Sequence, residues 1–464
     1  MTERQDVLRN PYTAGRPVFG DRFFGRDQIF QNLHKALVTS QQRLVVLHGQ
    51  RRIGKSSILK ELPDHLPASN FVIVNFDLQF YAGESLAKVL FALAQSICQV
   101  LRLVAPDRAI FEENELFFQT RFLDAVEQRL APNQQLLILI DEFDIIRETE
   151  KERIPVASRE FTALLQGLIN SEKRVSFILV AGSNLGALPG HLQSVFRLGA
   201  AVEVTFLGIA EARHLIVKPA KDILAYSEEA IQKIINLTNG HPYFTQLLCQ
   251  EIFSRAIFTG RRSVDLAEVE AATKQSLVSG MGAFSWIWNE LGLAERVYLS
   301  AIASVIARKN SPLVSDQEIQ KILEEYNIRL VGAELPNAAK DLVGRKFLET
   351  SIPHQHQFTV ELIRLWIEKE HPLDSTKQDI ENVNPMAQAR YEEGRKVHSA
   401  GELARAIDHY QAAVRGNPNH ARAQIGLAQA LYEKGEWERA VAEFERAYYL
   451  ELSRTRGDVQ KSTE

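Results

Sequence analysis

The chain has 464 residues, room for about three domains, and its 45% hydrophobic and 24% charged content excludes a disordered, collagen-like or fibrous chain. The balance of 54 Lys+Arg against 58 Asp+Glu leaves a net charge of −4, which supplies no global positive field for non-specific nucleic-acid binding. The two cysteines, Cys98 and Cys249, lie far apart and exclude a disulfide framework or a cysteine zinc site, so the sequence predicts a reducing, cytoplasmic setting.

In chain order, Asn10-Pro11-Tyr12 and Gly15-Arg16-Pro17 read as extended loop, and Ile29, Leu33 and Leu37 line one face of a helix. Apolar runs at 43–48, 71–76, 135–140, 175–180 and 202–206 then alternate with helical patterns around 56–66, 84–104, 114–131 and 157–171. Short buried runs spaced by helices predict an α/β parallel sheet covered on both faces. The longest of these runs, such as Leu136–Ile140, fall far short of the ~20 residues of a membrane span. The polar start Met1–Asp6 carries no signal-peptide core.

From about 210 the pattern is fully helical, over 211–218, 228–238 and 242–257, with Gly240 and Pro242 as punctuation; this reads as a lid on the sheet domain. Helices over 293–307, 315–325 and 334–344 precede a hairpin of 347–350 and 357–360 joined by a loop over 351–356, the order of a winged helix. A polar stretch from His371 to Pro385 reads as linker. The tail then repeats with a period of 34: Gly401 recurs as Gly435, Arg405 as Arg439, Tyr410 as Phe444 and Ala413 as Ala447. This is the tetratricopeptide pattern of paired helices, with only two repeats where about three usually stand alone. The expected segments are 1–40 leading to the core, core 41–208, lid 209–280, winged helix 281–372, linker 373–385, repeats 386–454 and a polar tail 455–464.

Gly49-Gln50-Arg51-Arg52-Ile53-Gly54-Lys55-Ser56 fits G-x-x-x-x-G-K-[ST] between an apolar strand and a helix. Backbone N–H groups from Gly49 to Ser57, with the helix N-terminus, would wrap phosphates. Lys55 would reach the β- and γ-phosphates and Ser56 would ligate Mg²⁺. Arg51 and Arg52 at the loop tip suit phosphate, a neighbour or plain solvation. The run Leu137–Ile140 ends in Asp141, a second Mg²⁺ ligand, and Glu142, which would polarise the attacking water. Ser183-Asn184, after the fourth strand, fits a γ-phosphate sensor or an ordinary polar turn, and Arg197 fits a phosphate-contacting or a solvated arginine. Pro242 opens a lid helix against which a base could pack.

Phe24-Gly25-Arg26-Asp27, the Arg-Arg within Gly49–Ser56, Asp141-Glu142, Ala181-Gly182-Ser183 and Asn239-Gly240-His241-Pro242-Tyr243-Phe244 follow one another in the order of a known family. The pattern resembles the STAND class of signal-transduction ATPases, close to AAA+ and archaeal-type ATPases, over about 10–370. The resemblance implies ATP/ADP and Mg²⁺ as ligands, slow hydrolysis, and a switch from a closed ADP form to an open, oligomer-forming ATP form. It also implies that Phe24, Gly25 and Arg26 lie near the adenine with Pro242 opposite. The chain departs from the class in its short repeat array and in showing no effector signature. In related switches a winged-helix histidine touches the β-phosphate; His354 and His356 are available but neither is assigned.

The first functional reading is therefore a regulatory ATPase with a protein partner on the repeats. The alternative is a DNA-acting ATPase similar to origin-recognition or transposition-helper proteins, using the winged helix. Around its second helical pattern stand Lys340, Arg345 and Lys346 against Glu334 and Asp341, a thin basic footprint. A third reading is a scaffold with structural nucleotide.

Overall fold

The computed structural model describes residues 9–81, 83–114, 116–143, 157–183, 185, 188–326, 328, 334–376 and 385–448. Asn184 and the tail 455–464 lie outside the described residues, as does most of the expected linker. The chain divides into two compact units, Met1–Thr273 and Lys274–Glu464.

In the first unit, β1 (Leu44–Gly49), β2 (Phe71–Asp77), β3 (Gln135–Asp141), β4 (Val175–Ala181) and β5 (Ala200–Val204) form one parallel sheet. Its order is β2-β3-β4-β1-β5, which sets the fourth strand beside β1. The apolar runs are continuous because both faces are covered. Leu136, Ile138 and Ile140 point into a core with α3 (Leu86–Leu101) and α6 (Ala157–Ile169). Leu137 and Leu139 point the other way, into a core with α1 (Asp27–His34) and α2 (Lys55–Glu61). Each such fully buried side chain contributes roughly 2 kcal/mol.

The helix expected over 114–131 runs over 117–127 and is preceded by a separate short helix. A short α4 (Arg108–Glu113), capped by Asp107, stops at an extended Asn114, and a wide turn over Phe118–Phe122 leads into α5 (Leu123–Glu127). α7 (Gly190–Phe196) joins β4 to β5. The helical lid follows as α8 (Ile209–Val217), α9 (Glu228–Thr238), α10 (Pro242–Thr259) and α11 (Leu266–Ser279). Two short strands, β6 (Ala225–Tyr226) and β7 (Ser263–Val264), pair in parallel between these helices; at two residues each they leave no periodic trace in the sequence.

The second unit begins within α11 and continues with α12 (Met281–Asn289), α13 (Leu293–Lys309), α14 (Asp316–Glu325) and α15 (Glu334–Gly344). The hairpin is longer than expected. β9 (Leu348–Ile352) and β10 (Gln355–Phe358) leave only Pro353 and His354 (φ 62°) at the turn, so the expected six-residue loop is mostly strand. A third strand, β8 (Val314–Ser315), pairs with β10. After α16 (Glu361–Glu370), the start of the expected linker is packed. Leu373 and Thr376 are buried, and the His371 ring stacks 4.1 Å from Trp288. The polar letters there hide Thr376, whose hydroxyl meets that of Ser300 at 3.0 Å.

The tail forms α17 (Pro385–Ser399), α18 (Leu403–Gly416), α19 (Ala421–Glu433) and a helical run over 437–448. Tyr410 explains why small residues recur: a Cβ at Gly394 or at Gly426 would come within 2.8 Å of its ring, so α17 and α19 close on it from both sides.

Candidate functional site

β1 delivers the chain from a buried strand into a loop that must turn sharply to start α2. Arg52 (φ 63°) and Gly54 (φ 100°) adopt left-handed backbone there, and Ile53 is buried beneath. Lys55, the first residue of α2, donates from Nζ to the carbonyls of Gly49 (2.9 Å) and Gln50 (2.8 Å), which holds the ammonium over the loop. The first-turn N–H groups of a helix have no partner within the helix, so the loop joins a fixed cation to a set of donors, as phosphates require. Ser56 is half-buried in that first turn. Ser57 is engaged elsewhere: its hydroxyl accepts from Val18 N at 3.0 Å, leaving only its backbone for a phosphate.

Asp141 ends β3, on the same sheet face as Leu137 and Leu139 and therefore on the side of α2. Its Oδ1 accepts from Glu142 N at 2.9 Å, and Glu142 itself sits at φ 51°. β2 brings Asp77 directly into register with Asp141. Burial raises the Asp77 carboxyl above its ordinary range, and the charge of Asp141 adds to this. The sequence reading ended that strand one residue early and missed Asp77; its signal was a polar residue closing a strand that neighbours the acidic one.

Among the described residues no group of three or more His, Cys, Asp or Glu could hold a metal by itself. The donor set of a hydroxyl at Ser56 and a carboxylate at Asp141 nonetheless fits a hard cation that draws its other ligands from phosphate and water, as Mg²⁺ does. Ser183 follows β4 and is half-buried. Arg197 is exposed at the end of α7, where its Nη2 donates to Gln193 Oε1 at 3.4 Å.

Arg26 does not present its guanidinium to a ligand. The side chain is buried, with Nη1 donating to Thr205 O (2.6 Å) and Nη2 to Ile53 O (2.9 Å), while its backbone N–H donates to Glu211 Oε1 (2.8 Å). Burial pushes its pKa down to about 10 despite Glu211. One residue thereby ties the phosphate loop, the exit of β5 and the lid helix α8. Gly25 abuts the same carboxylate; a Cβ there would lie 2.3 Å from Glu211 Oε1. Phe24 beside it is half-buried.

Across the site, Gly240 (φ 69°) lets the lid touch the end of β5: its carbonyl accepts from Leu207 N at 3.0 Å, and a Cβ would meet Leu207 O at 2.3 Å. Pro242 is the first residue of α10. His241 before it is buried between the Phe206 (5.6 Å) and Phe244 (4.8 Å) rings. Burial first, then the charges of Arg26, Lys55 and Arg52, push its pKa down to about 3, so it is neutral, and its Nδ1 has no hydrogen-bond partner. Tyr243 lies under the Arg52 guanidinium, 4.5 Å from ring centroid to Cζ.

The loop read at 10–20 is a strap. Asn10 donates to Gln250 O (2.9 Å), Thr13 N to Gln246 Oε1 (3.0 Å) and Ala14 N to Gln250 Oε1 (3.3 Å), all on α10. Val18 and Gly20 then donate to Ser57 and Glu61 of α2. Composition marked this stretch as loop; its partners, more than 200 residues away on α10, had no local signature.

In the second unit His354 and His356 both turn to Asp316, at 3.1 Å each. Arg345 is held by both oxygens of Glu295 (2.9 and 3.0 Å).

Residues 22–179 match the family described as AAA ATPase domain, and 398–447 match the tetratricopeptide repeat. No curated protein matches the chain. Among solved structures, a Walker-type ATPase of Pyrococcus abyssi is similar at 16% identity and a TM-score of 0.56, covering 75% of this chain and 96% of that one. The ORC2 protein of Aeropyrum pernix is similar at 15% identity and a TM-score of 0.46, over 74% of this chain and 91% of that one. Cdc6p from Pyrobaculum aerophilum is similar at 17% identity and a TM-score of 0.40, over 78% and 98%. At these identities the likeness is one of fold. Among the described residues no helix is long and apolar enough to cross a membrane.

Proposed function

We propose that the chain binds ATP, hydrolyses it slowly and uses the difference between ATP and ADP to control assembly with protein partners, as a STAND-like switch. The observation that carries this reading is the Gly49–Ser56 loop, with Lys55 fixed over it and Asp141-Glu142 ending a strand on the α2 side of the same sheet. Lys55 holds the β- and γ-phosphates. Ser56 and Asp141 hold Mg²⁺, which when bound neutralises charge developing on the phosphates. Glu142 orients and polarises the attacking water. Ser183 senses the γ-phosphate, and Arg197 reaches phosphate in the same or a neighbouring subunit. Phe24, Gly25 and Pro242 bound the adenine; Arg26 supports that wall as a tie, because its guanidinium is spent on Ile53 and Thr205.

The repeats take the partner. The groove beside Tyr391 and Tyr410, about 470 Å³, presents Arg395 and Arg422, while its one lining carboxylate, Glu433, is engaged by His398, which favours an acidic segment. The DNA-binding alternative is weakened by Arg345, whose guanidinium is committed to Glu295.

Calorimetry and a phosphate-release assay test the core of this reading. Lys55→Ala is expected to abolish ATP binding, and Glu142→Gln to keep binding while cutting hydrolysis by about 100-fold or more. Wild-type ATP affinity in Lys55→Ala would overturn the assignment of the loop.

A further inference from the structure

The phosphate loop is gripped by the lid at a second place besides Arg26. Arg52, at the loop tip, is a non-glycine residue held in left-handed backbone (φ 63°). That conformation costs about 1 kcal/mol and persists only where surroundings enforce it. What lies against it is the ring of Tyr243, the second residue of α10, 4.5 Å from the guanidinium carbon. The ring is itself held. Its edge lies against the strap, 3.9 Å from where a Cβ on Gly15 would sit, and its other neighbour is Phe244 at 5.3 Å, edge to face. The residue before Tyr243 is Pro242, which fixes the direction in which α10 leaves the site.

Resting on the nucleotide reading above, we infer that the stack of Arg52 on Tyr243 is a latch that closes the lid over the loop and sets the rate at which ADP leaves. The two residues belong to elements more than 190 positions apart in sequence. Arg52 sits between Gly49 and Gly54, on the loop that wraps the phosphates in the reading above, so the stack joins that loop directly to the lid. Both are positioning residues: neither needs to touch the reacting phosphate. Opening the lid requires the guanidinium to leave the ring, and a partly exposed cation–π pair slows that by a factor of about five.

The experiment is stopped-flow release of N-methylanthraniloyl-ADP from the full-length chain, chased with excess ADP. Tyr243→Leu and Arg52→Gln are each expected to release about five-fold faster. Tyr243→Phe keeps the aromatic face and is expected to stay within two-fold of wild type. The double variant is expected to release no faster than either single one, since both changes remove one contact. Circular dichroism melts on the same samples exclude misfolding, and Tyr243→Phe preserves the test if Tyr243→Leu does not fold. Wild-type release in Arg52→Gln, or multiplied effects in the double variant, would overturn the latch alone. A folded wild-type chain that binds no labelled ADP would overturn the nucleotide reading and the latch with it.

Discussion

At the scale of single residues, the site is set by two buried groups whose charge state the protein dictates. Arg26 donates to two backbone carbonyls, Ile53 O and Thr205 O, from the two ends of its guanidinium. Removing the guanidinium takes the hydrogen bond from the buried Ile53 carbonyl, frees the part-buried Thr205 carbonyl to water and opens a cavity, a cost of about 2–3 kcal/mol. Arg26→Ala is therefore expected to lower the urea midpoint of unfolding clearly, with Arg26→Lys intermediate because one ammonium cannot span the fork. An unchanged midpoint would rule out the tie. His241 gives a pH dependence. Its folded pKa of about 3 lies below the ordinary 6.5, so the unfolded chain binds the proton more readily. The stabilising difference is fully present above pH 6.5 and is lost as pH falls from 6.5 toward 3, at about 1.4 kcal/mol per pH unit. Urea unfolding at pH 7.5 and 5.5 should show a larger acid loss in wild type than in His241→Phe. Equal losses would mean that His241 is not held neutral. Since Nδ1 has no partner, His241→Phe is also expected to cost little at neutral pH.

Among the elements, the strap is the one whose purpose depends least on its own sequence. It spans lid and phosphate-loop helix using backbone donors, and the acceptors are side chains of Gln246 and Gln250 on α10. Replacing both by leucine removes two hydrogen bonds worth about 1 kcal/mol each. Amide exchange at Thr13 and Ala14 is expected to quicken about five-fold at each, while exchange in β1 stays as it was. Unchanged exchange at Thr13 would show the strap is held by packing alone. The same contrast marks what was legible beforehand. The strands of the sheet and the P-loop were readable because their signals are local: runs such as Leu136–Ile140, and glycines at fixed spacing around Lys55. The strap contacts, the Asp77–Asp141 register and the packing of Thr376 were not, because each depends on a partner far along the chain. Ser57 and Arg26 show the other limit. Motif position placed Ser57, and the family resemblance Arg26, near a nucleotide, but only geometry shows that Val18 takes the Ser57 hydroxyl and that Ile53 and Thr205 take the Arg26 guanidinium.

For the whole molecule, the open choice is between a switch that contacts proteins and an ATPase that contacts DNA, and charge decides which to expect. The chain carries a net charge of −4. Helix α15 exposes Lys340 beside Asp341, so its local field is close to neutral. Arg345 lies in a two-oxygen pair with Glu295, both largely shielded, and its guanidinium also covers the Phe347 ring at 5.2 Å. Turning it toward a phosphate would leave the Glu295 charge uncompensated, at a cost of several kcal/mol. The hairpin adds no free cation at its turn, since His354 and His356 both face Asp316. A protein that neutralises several phosphates shows affinity falling steeply with salt, and α15 and the hairpin turn, the parts a DNA reader would present, carry a nearly balanced charge. Fluorescence anisotropy with duplex DNA, in ATP and in ADP, is therefore expected to show no binding up to about 10 µM protein at 150 mM salt, where non-specific DNA binders still associate. Binding that strengthens in ATP and weakens about tenfold or more on raising salt would reverse the choice, because only several neutralised phosphates produce that slope. The second unit would then be a DNA reader, and the repeats a secondary contact.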